Sequence, residues 1–364
     1  MPSNKKQKHI CHVVEATATG TLSMVTLLAQ QQILRGHSVT IVYSRRPETP
    51  EKIEECFPLE ANLQCIPMHG LRNWPRAIAR LRSALGTLRP DAIFLHSSFA
   101  GFLGRVATYH ILGSCKIFYI PHCISFMRGD LGIVKKSVFI ALEKVASVRA
   151  ATYLACSESE RTCIERSLPG SHCVLIENAV PKLMRSGSIC KTRPRTVINA
   201  GQIRLQKNPA LFAEIAQKAK SENLPLHFLW LGDGEPKMRM QLEASGVEVT
   251  GWRTREQVID ELQSASAFLS TSQWEGLPVA LIEAQMAQIP TFASACSGNR
   301  DCIDHGSTGW LYQDADEAIK LLRKITEDPI QLAAIAQRAQ HLASHRFSAQ
   351  RYGQQMEDLL NASA

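Results

Sequence analysis

Residues 181–195 read PKLMRSGSICKTRPR, and this stretch divides the chain into two halves that look alike. It is rich in proline, glycine, serine and basic residues and has no hydrophobic period, the composition of an interdomain linker. On its N-terminal side, short β-branched runs alternate with longer amphipathic segments: HICHVVEA, HSVTIVYS, LQCIPMH, AIFLHSS, KIFYIPHC, TYLACS and HCVLIEN. On its C-terminal side a second series starts at RTVINAGQ and continues through HFLWLGDG, VEVTG, SAFLSTS, IPTFAS and TGWLYQ. Such alternation predicts βαβ units and a mainly parallel sheet on each side. The expected organisation is α/β: a doubly wound domain over 1–182, a linker over 183–194, a second doubly wound domain over 195–345, and a C-terminal helical segment, 346–364, positioned to pack back on the first domain. Two such domains place ligands where the carboxyl ends of both strand sets face one another, so an interdomain site is expected. One such domain with a catalytic appendage is the competing architecture, and the second strand series argues against it.

Length and composition agree. A chain of 364 residues suits two cores of roughly 150 to 180 residues each. An apolar fraction of 45% with 20% charged residues places it among globular chains. The basic N-terminus, MPSNKKQKHICHVVEA, leads into an apolar run that His12 and Glu15 interrupt, which reads as a first strand rather than a signal peptide. No run reaches the roughly 18 to 20 apolar residues of a membrane span, since lysines and a glutamate break up 132–148. Eleven cysteines without a Cys-x-x-Cys pair or zinc spacing suggest reduced thiols and a cytoplasmic location. Cys11, Cys123 and Cys156 fall in apolar runs, where cysteine acts as a small hydrophobe. The net charge of +8 is uneven: residues 1–190 carry 23 Lys and Arg against 13 Asp and Glu, and the remainder is slightly acidic. No nucleic-acid module accompanies that excess. It suits an anionic membrane surface or a phosphate-bearing acceptor, though a well-solvated surface would read the same way.

The chemistry-bearing stretch is SQWEGLPVALIEA, Ser272 to Ala284. Glu275 follows a strand, Gly276 permits a tight turn, and Pro278 suits a first helical turn because it has no amide hydrogen to leave unpaired. Glu283 then lies about a turn and a half into the helix. Exposed amides from Gly276 to Ala280 would make an anion site between the two carboxylates, and a nucleoside diphosphate is the anion that fits. A capped amphipathic helix with one acidic residue at its start is the plainer alternative.

With seven residues between its glutamates, EGLPVALIEA resembles the glutamate pair of the retaining glycosyltransferases of family 4, whose fold is the GT-B type, two Rossmann-like domains facing an interdomain cleft. GQIRLQKNPALF is similar to that family's phosphate loop and following helix, WLGDGE to its nucleotide-side strand end, and ASACSGNRDCIDHGSTGWL to the segment after the glutamate helix. EATATGTLSMVTLLAQQQILRGHSVTIVYS resembles its first strand, glycine loop and helix, and LHSSFAGFLGRVA, YIPHCISFMR, ACSESE and IENAVP extend the likeness over nearly the whole chain. The resemblance implies that Glu275 contacts the donor sugar, that Glu283 contacts the ribose, and that Gly276, Leu277, Pro278 and Val279 line the diphosphate. Gly201, Gln202, Arg204 and Lys207 belong to the loop after RTVINAG, where cations would neutralise the leaving diphosphate. The family's usual arginine is Gln202 here, and Arg204 stands where it could compensate. In the first half, Gly20 would end a polar loop before a helix starting near Leu22, with Thr21 where relatives carry a second glycine. His122, ending KIFYIPHC, resembles the family's strand-end histidine near the reacting carbon, and His96 is a weaker candidate; both also read as satisfied core histidines.

Gly232 and Gly234 do not complete a nicotinamide fingerprint, because position 237 is lysine. Asp314 and Asp316 read as helix-capping residues rather than metal ligands, and Trp252 and Arg253 could flank a base or simply pack. The resemblance thus implies a metal-independent, cofactor-free hexosyl transfer from a nucleotide sugar to a saccharide acceptor. The basic first half favours an acceptor linked to polyprenyl diphosphate at the inner face of the cytoplasmic membrane, as in surface polysaccharide assembly. A GT-B sugar-nucleotide epimerase and a non-catalytic nucleotide-sugar-binding subunit are the alternatives.

Overall fold

A computed structural model of the chain describes residues 7–182 and 195–362; the expected linker, 183–194, lies outside them. The chain forms two compact units: residues to Asn178 together with those from Ala349 onward, and Ala179–Ser348. The first boundary falls four residues before the expected 182. Val180 is held by the second unit, its amide donating to the Phe347 carbonyl at 3.0 Å.

The first unit has a seven-stranded sheet: β1 (His9–Val14), β2 (Ser38–Tyr43), β3 (Asn62–Cys65), β4 (Ala92–His96), β5 (Lys116–Ile120), β6 (Thr152–Ala155) and β7 (Cys173–Leu175). Their order is β3-β2-β1-β4-β5-β6-β7, parallel throughout. α1 (Thr19–Ile33), α2 (Trp74–Leu88), α3 (Ser98–Thr108), α4 (Ile133–Ala146) and α5 (Glu158–Ser167) supply the crossovers. β4 is buried at every position, as expected of a parallel strand covered on both faces. Cys11, Val13, Ile93 and Leu95 join the core under α2 and α3, and Val14, Val39 and Ile41 join Leu22 and Val25 of α1. α1 starts three residues before Leu22, because the chain leaves Ala18 extended and the Ala18 carbonyl accepts from the Leu22 amide. Gly20 therefore sits in the first helical turn, not in a preceding loop. Cys123 is a second correction: it lies beyond β5 in a turn, part-exposed, rather than inside a buried strand. A buried ion pair between Arg105 and Glu143, 2.5 Å, fastens α3 to α4, and the hydroxyls of Tyr119 and Tyr153 donate to the same carboxylate.

The second unit has a six-stranded parallel sheet: β8 (Arg195–Ala200), β9 (Leu226–Leu231), β10 (Glu248–Val249), β11 (Ala267–Ser270), β12 (Thr291–Ser294) and β13 (Trp310–Tyr312), ordered β10-β9-β8-β11-β12-β13. Around it lie α6 (Pro209–Ser221), α7 (Pro236–Ala244), α8 (Arg255–Ser264), α9 (Val279–Met286), α10 (Ser297–Cys302), α11 (Ala315–Leu322), α12 (Lys324–Glu327) and α13 (Pro329–Arg346). Local chemistry explains most starts. Asn208, Thr254, Asp314 and Asp328 each accept from an amide in the first turn of the helix that follows, so Asp314 is a cap as expected. Pro278 precedes α9 as its extended N-cap, one residue earlier than expected, and no side chain caps that helix. The last helix, α14 (Ala349–Asn361), belongs to the first unit, where it packs on α1.

Candidate functional sites

Strand order reverses between β8 and β11 in the second unit, the kind of switch point at whose carboxyl ends open α/β sheets bind ligands. The loop after β8 carries Gly201, Gln202, Arg204 and Lys207, and the loop after β11 carries Glu275 and the start of α9. Cross-loop hydrogen bonds bring them together. The Thr271 hydroxyl donates to the Lys207 carbonyl (2.7 Å), the Gln273 amide to the Gln206 carbonyl (2.8 Å), and Gln206 Nε2 to the Trp274 carbonyl (3.0 Å). Lys207 Nζ then lies 2.7 Å from Glu275 Oε1, with Ser272 Oγ donating to the same oxygen at 2.7 Å. Both partners are largely buried, which suits a pair held in place rather than a loose surface contact.

Glycines allow this approach. Gly232 has φ +138°, and a Cβ there would fall 2.2 Å from the Gly201 carbonyl oxygen, so the loop after β9 lies directly on the loop bearing Lys207. At Gly298 in α10, a Cβ would fall 2.5 Å from the Gly276 oxygen and 2.8 Å from Glu275 Cβ. α10 thus buttresses the Glu275 turn, and Asn299 of the same helix donates to the Ser294 carbonyl at 2.8 Å.

Glu283 sits on the first turns of α9, almost fully buried, and Arg255 of α8 meets it at 2.6 Å. Burial pushes the Glu283 carboxyl above its ordinary range, and Arg255 opposes that rise. Arg255 was not foreseen: it lies 28 positions before Glu283, and only the packing of α8 beside α9 makes them neighbours. Gly276, Leu277 and Pro278 are buried in the turn, and Val279 opens the helix. Gln202 is part-exposed, and Arg204 is exposed at the start of the one-turn helix Leu205–Lys207. Trp252 is also exposed, at 54%.

In the first unit the order reverses between β1 and β4, and that switch point is lined by histidines. His12 Nδ1 lies 2.9 Å from His96 Nε2, and His96 Nδ1 lies 3.1 Å from His122 Nε2. His12 was not singled out by sequence, because a lone histidine inside an apolar strand carries no motif. His122 and Cys123 both have left-handed backbones, φ +56° and +90°. Buried Glu160 of α5 holds that turn, accepting from the Cys123 (2.8 Å), Ile124 (2.7 Å) and Cys156 (2.8 Å) amides. Gly20 lies elsewhere in the same unit, in α1. Among the described residues, no group of three or more His, Cys, Asp or Glu is arranged to hold a metal ion, and no helix is long and apolar enough to cross a membrane.

Comparisons with known proteins follow this division. Residues 184–342 match the family model "Glycosyl transferases group 1", and residues 19–182 match "Glycosyltransferase Family 4". A curated relative from Escherichia coli, UDP-Gal:alpha-D-GlcNAc-diphosphoundecaprenol alpha-1,3-galactosyltransferase, is 27% identical over 280 residues, covering 70% of this chain and 71% of that protein. An uncharacterized 41.2 kDa protein in the cps region of Klebsiella pneumoniae is 22% identical over 86% of this chain and 89% of that one. Among solved structures, Anabaena Alr3699/HepE in complex with UDP and glucose superposes with a TM-score of 0.81 at 16% identity, covering 97% of this chain and 99% of that one. Sucrose-phosphate synthase from Thermosynechococcus elongatus gives 0.83 at 16% identity, with 97% and 98% covered. With two Rossmann-like parallel units of the GT-B type and a family match running through both of them, the chain belongs to the group 1, family 4 glycosyltransferases.

Proposed function

We propose that this glycosyltransferase moves a sugar, with retention, from a nucleoside-diphosphate sugar to a hydroxyl of a lipid-linked saccharide during surface polysaccharide assembly. One juxtaposition carries the reading: the Lys207 ammonium beside Glu275, at the mouth of a helix whose first amides have no side-chain cap. Those amides and Lys207 stabilise negative charge as the diphosphate departs, with Arg204 contributing from the same loop. Glu275 accepts from donor-sugar hydroxyls and Glu283 from the ribose, Arg255 favouring the ionised form of the second carboxyl. The bond from the anomeric carbon to the diphosphate breaks as the acceptor oxygen bonds that carbon from the same face, and the acceptor proton passes to a leaving phosphate oxygen. Because protein groups carry the charge, transfer proceeds without a divalent metal. A panel of nucleotide sugars, screened for thermal stabilisation and then for transfer with and without EDTA, tests this. Stabilisation by one donor and EDTA-resistant transfer are expected; product formed from donor alone would turn the reading to an epimerase.

The acceptor half rests on charge, on relatives and on α4. Relatives carry the names of a putative colanic acid and an O-antigen biosynthesis glycosyltransferase, and one is named for a diphosphoundecaprenol-linked sugar. Val134, Val138 and Val145 share one exposed face of α4, Val148 extends it beyond the helix end, and exposed Lys135 and Lys144 flank it. A helix of this kind lies in the interface of an anionic bilayer. Sedimentation with vesicles containing anionic lipid should pellet the protein, and Val138→Asp with Val145→Asp should abolish pelleting; failure to bind at low salt would count against the membrane half.

A further inference from the structure

The histidines at the switch point of the first unit form a row, and it has a fourth member. His12 Nε2 lies 2.7 Å from Gln32 Oε1 on α1, so an unbroken chain runs Gln32, His12, His96, His122, with links of 2.7, 2.9 and 3.1 Å. Register explains the alignment. Val14 pairs with His96, and His96 pairs with Ile120. Each histidine therefore stands two residues beyond the register partner of the one before it. Within the strands a step of two keeps the side chain on the same face of the sheet, so His12 and His96 share a face, and the left-handed turn beyond β5 sets His122 at the end of the row, toward the carboxyl edge. The rings stack as well, with centroids 5.2 and 5.4 Å apart and planes within 26° and 15°. Gln32, His12 and His96 are buried, and His122 is part-exposed at the open end.

A neutral imidazole has one N–H and one lone pair, so each link needs one donor and one acceptor, and fixing the end of the row fixes every member. Burial keeps the row neutral, lowering His12 and His122 to about 4 and holding His96 well below its ordinary value. Gln32 Oε1 accepts from His12 Nε2–H. His12 Nδ1 then accepts from His96 Nε2–H, and His96 Nδ1 accepts from His122 Nε2–H. What remains is the lone pair on His122 Nδ1.

We infer that Gln32, His12 and His96 are positioning residues that set the tautomer of His122, so that His122 meets its ligand as a hydrogen-bond acceptor for a hydroxyl and not as a donor. The hydroxyl's being that of a transferred sugar or its acceptor rests on the proposed glycosyl transfer; the tautomer does not. The Gln32 amide turns its oxygen to His12, its Nε2 being buried without a partner among the described residues, and that orientation makes residue 32 the polarity setting of the row. Glu160 fixes the backbone just beyond His122 from the other side.

Long-range 15N–1H spectra of the 15N-histidine-labelled protein report each tautomer directly. The expected result is Nε2–H at His12, His96 and His122 in the wild type. Gln32→Glu, whose ionised carboxylate can only accept, should preserve the pattern at a pH where it is ionised, whereas Gln32→Met should admit the Nδ1–H form at His122. With the donor that the nucleotide-sugar panel selects, Gln32→Met should lower kcat by at least about tenfold, the scale of losing an orienting partner behind a functional histidine, with KM little changed and with rescue in Gln32→Glu. An Nδ1–H His122 in the wild type overturns the inference, as does a His122 tautomer indifferent to residue 32; the wild-type spectrum decides even if Gln32→Met fails to fold. A wild type with the expected tautomers but no transfer would instead overturn the proposed function.

Discussion

Lys207 and Glu275 are 68 positions apart and meet at 2.7 Å through loops that hydrogen-bond to each other. Lys207→Ala removes the cation on the proposed diphosphate, and loss of one such stabilising group costs roughly 10²- to 10³-fold in kcat. Steady-state transfer rates read this, and an unchanged kcat would remove Lys207 from the mechanism. Gly298→Ala tests the buttress. Its Cβ meets backbone at 2.5 Å, so the Glu275 turn must shift, and weaker donor binding in calorimetry is expected while the fold melts cooperatively. At this scale the sequence was informative where a motif spans the site, as with Lys207, Glu275 and Glu283, and silent where partners come from separate elements. Arg255 and His12 lie in stretches whose only local signals are a capping box and an apolar strand.

At the scale of elements, the central strands were legible because parallel strands buried on both faces write themselves as apolar runs, and each of the thirteen strands among the described residues, exposed β3 included, has its run in the sequence. Helix starts were less legible. α1 begins at Thr19 and α9 after Pro278, and no side chain caps either. The diagonal row across β1, β4 and β5 depends on register, which no single strand encodes. That row has a pH signature. Unfolded histidines take up protons as pH falls through about 6.5, but the folded row resists until about 4. Between those values the unfolded state binds more protons, so stability present in full above 6.5 is lost as pH drops toward 4. For fully buried His12 alone the loss is on the order of 3 kcal/mol. Urea unfolding at pH 7 and pH 4.5 measures it, and His12→Phe should flatten the profile; a flat profile in the wild type would contradict the burial of the row.

At the scale of the whole molecule, the first unit is closed by residues from the far end of the chain. α14 buries Tyr352, Met356 and Leu360, sets Glu357 2.8 Å from His37, and presents the Leu360 carbonyl to Lys8 at 2.6 Å. Each of the three apolar side chains is worth about 1.5 to 3 kcal/mol of burial, so truncation after Ser348 should cost most of a typical domain's stability. Denaturation of the truncated chain should show the first unit lost and the second intact, and a single unchanged transition would refute that assignment.

The same helix sets a schedule for synthesis. The contiguous second unit has all of its residues once Ser348 emerges, whereas the first, although begun earlier, lacks α14 until residues 349–361 are made. At roughly 5 to 20 residues per second the gap of some 170 residues lasts about ten to thirty seconds. During that interval the face of α1 that α14 covers has no partner on the ribosome, so the unit begun first is completed after the second and is the more exposed of the two to chaperones and proteases.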